Sequence, residues 1–217
     1  MKDKRVSEMS FIAMVGSIMA VITLIQLLMG IYLNIEVTFA PIIMVVSILY
    51  GSKEYGYKLG IKLGFIFGLS TFIFAWIPIF NLSPLSVLFR NPIVSILPRI
   101  AYGATIYPLY VGFDKFIGNF KHASKVNIAL TALVSTVLHA VFVLPILYFF
   151  AVNFPPLEVA AAIDVVLEFF QNSFFVFFFG ILLANTLLVE VPLTVLVGTP
   201  VAYRLLVYRD GEAENAI

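Results

Sequence analysis

Six runs of apolar residues set the pattern of the chain, with polar and charged positions gathered between them. They lie near 9–33, 37–50, 57–80, 92–113, 126–152 and 171–207. An α-helix needs roughly 20 mostly apolar residues to cross a hydrocarbon core of about 30 Å. The second run is short for a crossing, and the last is long enough to tilt or to project beyond the bilayer. The pattern predicts an all-α integral membrane protein with six transmembrane helices in one domain, residues 1–217.

Composition agrees with a bilayer as the main solvent. The 217 residues are 62% hydrophobic and 12% charged, against about 45–50% and about 25% in soluble domains. So few charged side chains cannot coat the surface of a soluble domain of this size. Six helices with short connections use almost the whole chain, which leaves no room for a soluble catalytic domain.

The charge balance and the cysteine count exclude several classes of function. The net charge is +1 and no long basic run exists, so the electrostatic footprint of a nucleic-acid-binding protein is absent. The sequence has no cysteine and only two histidines, His122 and His139, which make no metal-binding cluster. No metalloprotease, lipase or Walker A motif occurs. We therefore expect no catalytic residue, no metal and no cofactor.

Connections rich in basic residues alternate with connections poor in them along the chain. Eleven of the 13 fall on one side. They are Lys2, Lys4, Arg5, Lys53, Lys58, Lys62, Lys115, Lys121, Lys125, Arg204 and Arg209. By the positive-inside rule, both termini are cytoplasmic and the connections near 34–37, 81–91 and 153–170 face outward. We expect the two longer outward connections to fold over a cavity, the second of them with a helix over 160–168.

Arg99 is the sharpest single candidate for chemistry. It lies in the helix that begins at Pro92, at a depth where an arginine is costly unless it is paired or faces a wet cavity. Pro98 weakens the helix beside it and frees carbonyl groups. Two interpretations stay open: a structural partner of Glu190 or of backbone carbonyls, and a guanidinium that binds a substrate carboxylate or phosphate.

Three polar residues in later helices are further candidates. Asn185 and Glu190 are five positions apart and so not on one line of a regular helix, although Pro192 permits a kink. An acid at this depth must be neutral, paired or hydrated. Glu190 is therefore a partner of Arg99, a helix-packing contact or part of a pocket. His139, in the middle of its helix, is either a packing residue or a pocket residue.

Trp76 is the only tryptophan and lies near the outward end of the third run. Tryptophan often anchors a helix at the membrane interface. An aromatic wall for a partly apolar ligand is the alternative.

The first helix carries small residues at a spacing typical of close helix packing. Ala13, Gly16, Ser17 and Ala20 form overlapping small-x-x-x-small pairs. Such spacing lets another helix approach closely. The approaching helix belongs either to the same chain or to a partner subunit.

A long segment resembles a known family. Ser83-Pro-Leu-Ser-Val-Leu-Phe-Arg-Asn91-Pro-Ile-Val-Ser-Ile-Leu-Pro-Arg99-Ile is similar to the pantothenate branch of the substrate-binding S components of energy-coupling factor vitamin transporters. Weaker similarity lies in 46–52, in the glycine-rich 60–68 and in 185–190. In the fifth helix the chain has Ser135-Thr-Val-Leu-His139 where that branch would have a Thr-Asn-Thr pattern.

The resemblance implies a six-helix S component in a bacterial cell membrane that binds a vitamin, most closely pantothenate, from outside. The implied substrate-binding residues are Trp76, Ser83, Arg90, Asn91, Arg99, His139 and Asn185. It also implies a transmembrane T component, contacted through Ala13, Gly16, Ser17 and Ala20, and two cytoplasmic ATPases that drive uptake. The chain would itself not be an enzyme.

Other functions remain open on the residues alone. The vitamin could be cobalamin, riboflavin or folate. A small lipid enzyme would need Glu190 and His139 within hydrogen-bond reach of one reacting group. A non-catalytic membrane scaffold, held by the first helix, would have no small-molecule pocket near Arg99.

Overall fold

The computed structural model of the chain describes residues 2–33, 39–77, 84–117 and 123–215. Over these ranges the regular structure is entirely helical. The α-helices are α1 (Lys2–Leu33), α2 (Ala40–Tyr55), α3 (Lys58–Ala75), α4 (Pro92–Ser95), α5 (Leu97–Ile117), α6 (Ala123–Asn153), α7 (Ala160–Phe169), α8 (Phe174–Ile181), α9 (Val191–Leu193) and α10 (Thr199–Asn215). A 3₁₀ helix, Pro84–Arg90, precedes α4. Two π-helical stretches, Leu182–Glu190 and Thr194–Gly198, join α8, α9 and α10 into one C-terminal helix.

Within the described ranges, four segments are long and apolar enough to cross a membrane. They are Lys4–Ile25, Lys58–Ala75, Ser124–Asn153 and Phe174–Asp210. These segments agree with the predicted all-α membrane protein. The helix α2 has only 16 residues, and α5 carries Arg99 and two prolines in its 21 residues, so neither is such a segment by length and composition alone.

The predicted helix over 92–113 is interrupted. Asn91 caps α4, because its side-chain oxygen accepts a hydrogen bond from the Ile93 amide at 2.9 Å. α4 then ends at Ser95, and α5 starts at Leu97. Pro98 has no amide hydrogen with which to continue the hydrogen-bond ladder at this point. The helix expected over 160–168 is confirmed as α7.

Three glycines of α3 bring its backbone against α5. A Cβ atom on Gly60 would overlap the Gly103 carbonyl, and one on Gly64 would overlap the Arg99 carbonyl. A Cβ on Gly68 would lie 2.6 Å from the Cα of Ile96. Small residues at this spacing permit close helix contact inside a membrane. The glycines of α3 therefore fix the position of the α5 turn that carries Arg99.

The small residues of α1 divide between two environments. Gly16 faces α3, where an added Cβ would lie 3.2 Å from the Ile66 Cγ2 atom. Ala13 and Ser17 are exposed, and Ala20 is half-buried. The structure thus assigns Gly16 to packing within the chain and leaves Ala13 and Ser17 on an open face of α1.

Side-chain contacts show which helix ends lie together. Lys53 pairs with Asp210 at 3.0 Å, and Lys62 pairs with Glu8. These contacts join the start of α1, the α2–α3 junction and the end of the C-terminal helix. We call this end of the bundle the basic end. The opposite end, with the 3₁₀ helix and α7, is called the capped end.

Candidate ligand-binding site

Arg99 is buried near the start of α5, with 5% of its surface exposed. Its Nη1 atom donates a hydrogen bond to the Val94 carbonyl at 2.7 Å. In a regular helix this carbonyl would accept from the residue four positions later, which is Pro98 and has no N–H to give. Proline thus frees the acceptor that orients the guanidinium, as the backbone-carbonyl interpretation of Arg99 expected.

The Arg99 guanidinium is enclosed by aromatic rings. It lies 4.7 Å from the ring centroid of Phe89, in the 3₁₀ helix, and 5.7 Å from that of Phe67, in α3. Both contacts fit a desolvated cation–π interaction. The Nε atom, by contrast, is buried without a hydrogen-bond partner. A buried donor without a partner costs free energy, so Nε is a point where a ligand acceptor would be stabilising.

His139 of α6 shares this environment. Its ring lies 4.8 Å from that of Tyr102 and 6.0 Å from that of Phe67, centroid to centroid. The side chain is 7% exposed, and Nε2 is buried without a hydrogen-bond partner. His139 and Arg99 thus contact the same face of α3 through Phe67. Two buried polar atoms without partners therefore belong to neighbouring side chains.

Asn185 and Glu190 meet across the π-helical stretch Leu182–Glu190. The Asn185 side-chain amide donates to Glu190 Oε1 at 3.3 Å. Residues five apart do not share a line in a regular α-helix, but this stretch is a π-helix, whose wider turn with i to i+5 hydrogen bonds brings the two side chains together. Glu190 is buried and interacts electrostatically with Arg99. Asn185 thus reaches the Arg99 region through Glu190.

Three other predicted residues come together in a cavity of about 530 Å³ at the capped end. Trp76, Arg90 and Asn91 line it. The Arg90 guanidinium lies 5.5 Å from the Trp76 ring centroid, its Nε donates to the Ala75 carbonyl at 2.9 Å, and Nη1 pairs with Glu158. We call this space the outer cavity. Ser83, the remaining candidate, lies outside the described residues.

The 3₁₀ helix connects the outer cavity to the buried cluster. Phe89 contacts Arg99, and its neighbour Arg90 lines the outer cavity. Sequence reasoning missed the roles of Phe89, Phe67 and Glu158. For Glu158 a signal existed, because the outward connections contain Arg90 as their one basic residue beside a few acids. For the two phenylalanines no signal existed among the 22 in the chain.

Among the described residues, no group of three or more His, Cys, Asp or Glu side chains is arranged to hold a metal ion. A guanidinium, an imidazole and aromatic walls suit a small molecule that carries an anionic group on a partly apolar frame.

Comparison with known proteins gives no relative: no family model matches the chain, and neither does a curated protein or a solved structure.

Proposed function

We propose that the chain is the substrate-binding subunit of an energy-coupling factor importer and captures a small vitamin with one carboxylate, pantothenate fitting best. In this proposal α2 and α5 also cross the bilayer, which gives six spans. The basic end is cytoplasmic, with both termini, and the capped end faces outside the bacterial cell. The alternation between connections rich in basic residues and connections poor in them supports this orientation.

One observation carries the proposal: Arg99 and His139 each bury a nitrogen atom that has no hydrogen-bond partner. A carboxylate forms strong charge-assisted hydrogen bonds with a guanidinium. Pantothenate has one carboxylate, one amide and two hydroxyl groups. Its carboxylate would pair with Arg99 Nε, and a hydroxyl or the amide would pair with His139 Nε2, so that one ligand satisfies both atoms.

The outer cavity supports an entry route from the capped end. Its volume of about 530 Å³ falls in the range of about 300–1,000 Å³ typical of small-molecule sites. Arg90 offers a first cationic contact for an arriving carboxylate, and Trp76 offers an apolar wall. The Arg90–Glu158 ion pair joins the 3₁₀ helix to the segment before α7 and would close the cap above a bound ligand.

Energised uptake requires partners in this proposal. The sequence contains no nucleotide-binding motif, so two cytoplasmic ATPases and a transmembrane T component would supply the work. The exposed Ala13 and Ser17 of α1 provide a surface for the T component. Docking there would release the vitamin if the T component binds the empty conformation of the chain more tightly than the vitamin-bound conformation.

Titration calorimetry on the protein in lipid nanodiscs tests the ligand. We expect pantothenate to bind and pantothenol, which lacks the carboxylate, to bind far more weakly. A charge-assisted contact contributes about 1.5–3 kcal/mol, so Arg99→Ala should weaken pantothenate binding roughly 10- to 150-fold. Arg99→Lys should recover only part of the loss. Arg5→Ala, which removes an exposed arginine at the basic end, is the matched control and should bind as the parent does.

The competing interpretation of Arg99 gives a different result. If Arg99 serves only as a structural partner of Glu190, then Arg99→Ala will lose folded yield, and Arg99→Ala/Glu190→Ala will regain it. Parent-like pantothenate binding by a folded Arg99→Ala protein would refute the carboxylate contact. Native mass spectrometry of the purified protein would reveal cobalamin, riboflavin or folate as a co-purified ligand instead.

A further inference from the structure

A second cavity, of about 470 Å³, opens at the basic end between the start of α6 and α10. It is lined by Lys125, Thr199, Pro200, Tyr203, Arg204 and Val207. The five residues from α10 follow a spacing of three and four and so share one helix face. The cavity shares no residue with the Arg99 cluster or with the outer cavity. It is therefore a separate site in the structure.

Two cations line this basic-end cavity without an acidic partner in the described part of the chain. The ion pairs within the described residues use other basic residues, namely Lys53, Lys62, Arg90 and Arg209. Lys125 Nζ lies 4.7 Å from the Tyr203 ring centroid, a contact that holds the ammonium group at the cavity wall and leaves its charge intact. Asp210, farther along α10, is engaged by Lys53 and Arg209. The cavity thus presents positive charge.

Thr199 adds a buried hydroxyl group to the cavity. A helical threonine commonly bonds the carbonyl four residues earlier, as Thr194 does with the Glu190 carbonyl at 2.7 Å. Thr199, directly after the π-helical stretch Thr194–Gly198, makes no such bond, and its Oγ1 is buried without a partner. The hydrogen-bonding capacity of this hydroxyl is therefore unused within the chain.

The remaining lining is apolar and continues toward the hydrocarbon. Pro200 and Val207 line the cavity. One turn before Pro200, Leu196 is 73% exposed on the same helix face. In the proposed topology the charged side of the cavity lies near the membrane boundary, because Lys125 is the second residue of the candidate span Ser124–Asn153. A ligand that fits both parts has an anionic head and an apolar chain.

We propose that the basic-end cavity binds the phosphate group of an anionic phospholipid from the adjacent leaflet. Lys125, Arg204 and the Thr199 hydroxyl contact the phosphate, and an acyl chain lies along Pro200 and Leu196. Basic pockets between helices at a membrane surface have the chemistry that such headgroups require. A choline headgroup would add a third cation to the cavity, so phosphatidylglycerol is bound in preference to phosphatidylcholine.

Native mass spectrometry with added lipid tests the proposal. Dioleoylphosphatidylglycerol and dioleoylphosphatidylcholine are titrated separately into the detergent-purified chain. The variant Lys125→Ala/Arg204→Ala should bind phosphatidylglycerol about 30-fold more weakly than the parent, because it lacks both cations. The matched control is Lys4→Ala/Arg5→Ala, which removes one lysine and one arginine from exposed positions at the same end and should bind as the parent does. Thr199→Val, a near-isosteric change, should weaken binding about 5-fold.

Each outcome decides the question. Selective loss in Lys125→Ala/Arg204→Ala and in Thr199→Val, with the control unchanged, supports the site. Equal binding of the two lipids by the parent, or equal losses in the test and control variants, overturns it. In a parallel arm, inorganic phosphate is added during thermal unfolding. Stabilisation by inorganic phosphate without any preference for phosphatidylglycerol would show that the cavity binds free phosphate and not a lipid headgroup, and would overturn the proposal. If the double variant does not fold, Arg204→Gln alone answers the question.

Discussion

Gly64 of α3 lies directly against the backbone of Arg99 in α5, where a Cβ atom on the glycine would overlap the arginine carbonyl oxygen. Helix packing at Gly64 thus sets the backbone position of Arg99, the buried cation of the candidate site. Because the obstructing atoms belong to the backbone, no change of side-chain rotamer could relieve the overlap. The α3–α5 contact therefore determines where the guanidinium sits relative to Phe67 and His139.

Gly64→Ala should destabilise the protein. Over-packing at a close contact costs about 1–3 kcal/mol, and here α3 and α5 would have to separate. The melting temperature in detergent should fall, and pantothenate binding should weaken as Arg99 moves. Gly112→Ala is the control on α5, since an added Cβ there meets nothing within 4 Å, and it should melt at or slightly above the parent's melting temperature, because alanine favours a helix more than glycine does. Equal melting of the two variants would contradict the close packing at Gly64.

His139→Phe separates binding from stability at the second buried nitrogen. Phenylalanine keeps a ring against Tyr102 and Phe67 and removes Nε2, which has no hydrogen-bond partner. The melting temperature should stay level or rise, since a buried unpaired polar atom is costly. Pantothenate affinity should fall about 5- to 10-fold.

Tyr102→Phe is the contrasting variant. It removes the hydroxyl that donates to the Pro41 carbonyl at 3.3 Å and should lower the free energy of unfolding by about 1 kcal/mol.

For the His139→Phe variant, an unchanged pantothenate affinity would restrict His139 to a packing role.

The topology has a direct test, because the chain contains no cysteine. Leu157, before α7, is 98% exposed at the capped end, and Tyr57, at the α2–α3 junction, is 58% exposed at the basic end. A membrane-impermeant maleimide should label Leu157→Cys in intact cells and Tyr57→Cys only after lysis. The reverse labelling pattern would place the basic end outside.

The open face of α1 should matter for transport and not for binding. Ala13→Leu/Ser17→Leu enlarges two exposed positions, so the purified protein should melt and bind pantothenate as the parent does. For the importer proposed above, uptake in cells should fall roughly 10-fold or more, because close helix approach is blocked. Met14→Leu/Ile18→Leu, also exposed, keeps the side-chain volume and is the control. Normal uptake by the Ala13/Ser17 variant would remove this face from the partner contact.

Gly16→Leu should behave differently from the exposed pair. Its new side chain would meet Ile66 of α3 and should lower the melting temperature of the isolated protein, since the position is already in close contact.

The sequence by itself determined the helical and membrane character of the protein, because hydropathy and run length are local properties. It also determined a helix start at Pro92, because the signals that begin a helix act within a few residues. The grouping of Lys53, Lys62 and their neighbours at one end followed from counting alternate connections. Pro98 was a sufficient signal for a free carbonyl, because the missing N–H affects a fixed partner four residues earlier.

Only the tertiary structure decided which side chains meet. The enclosure of Arg99 by Phe67 and Phe89 depends on the close α3–α5 approach, which brings together residues distant in sequence. The contact of Asn185 with Glu190 required a π-helical stretch, which no local pattern in the sequence indicated. Likewise, Thr199 looks like any helical threonine until the backbone around it is known. Packing, which depends on the whole chain at once, selects these arrangements from many that the same hydropathy pattern allows.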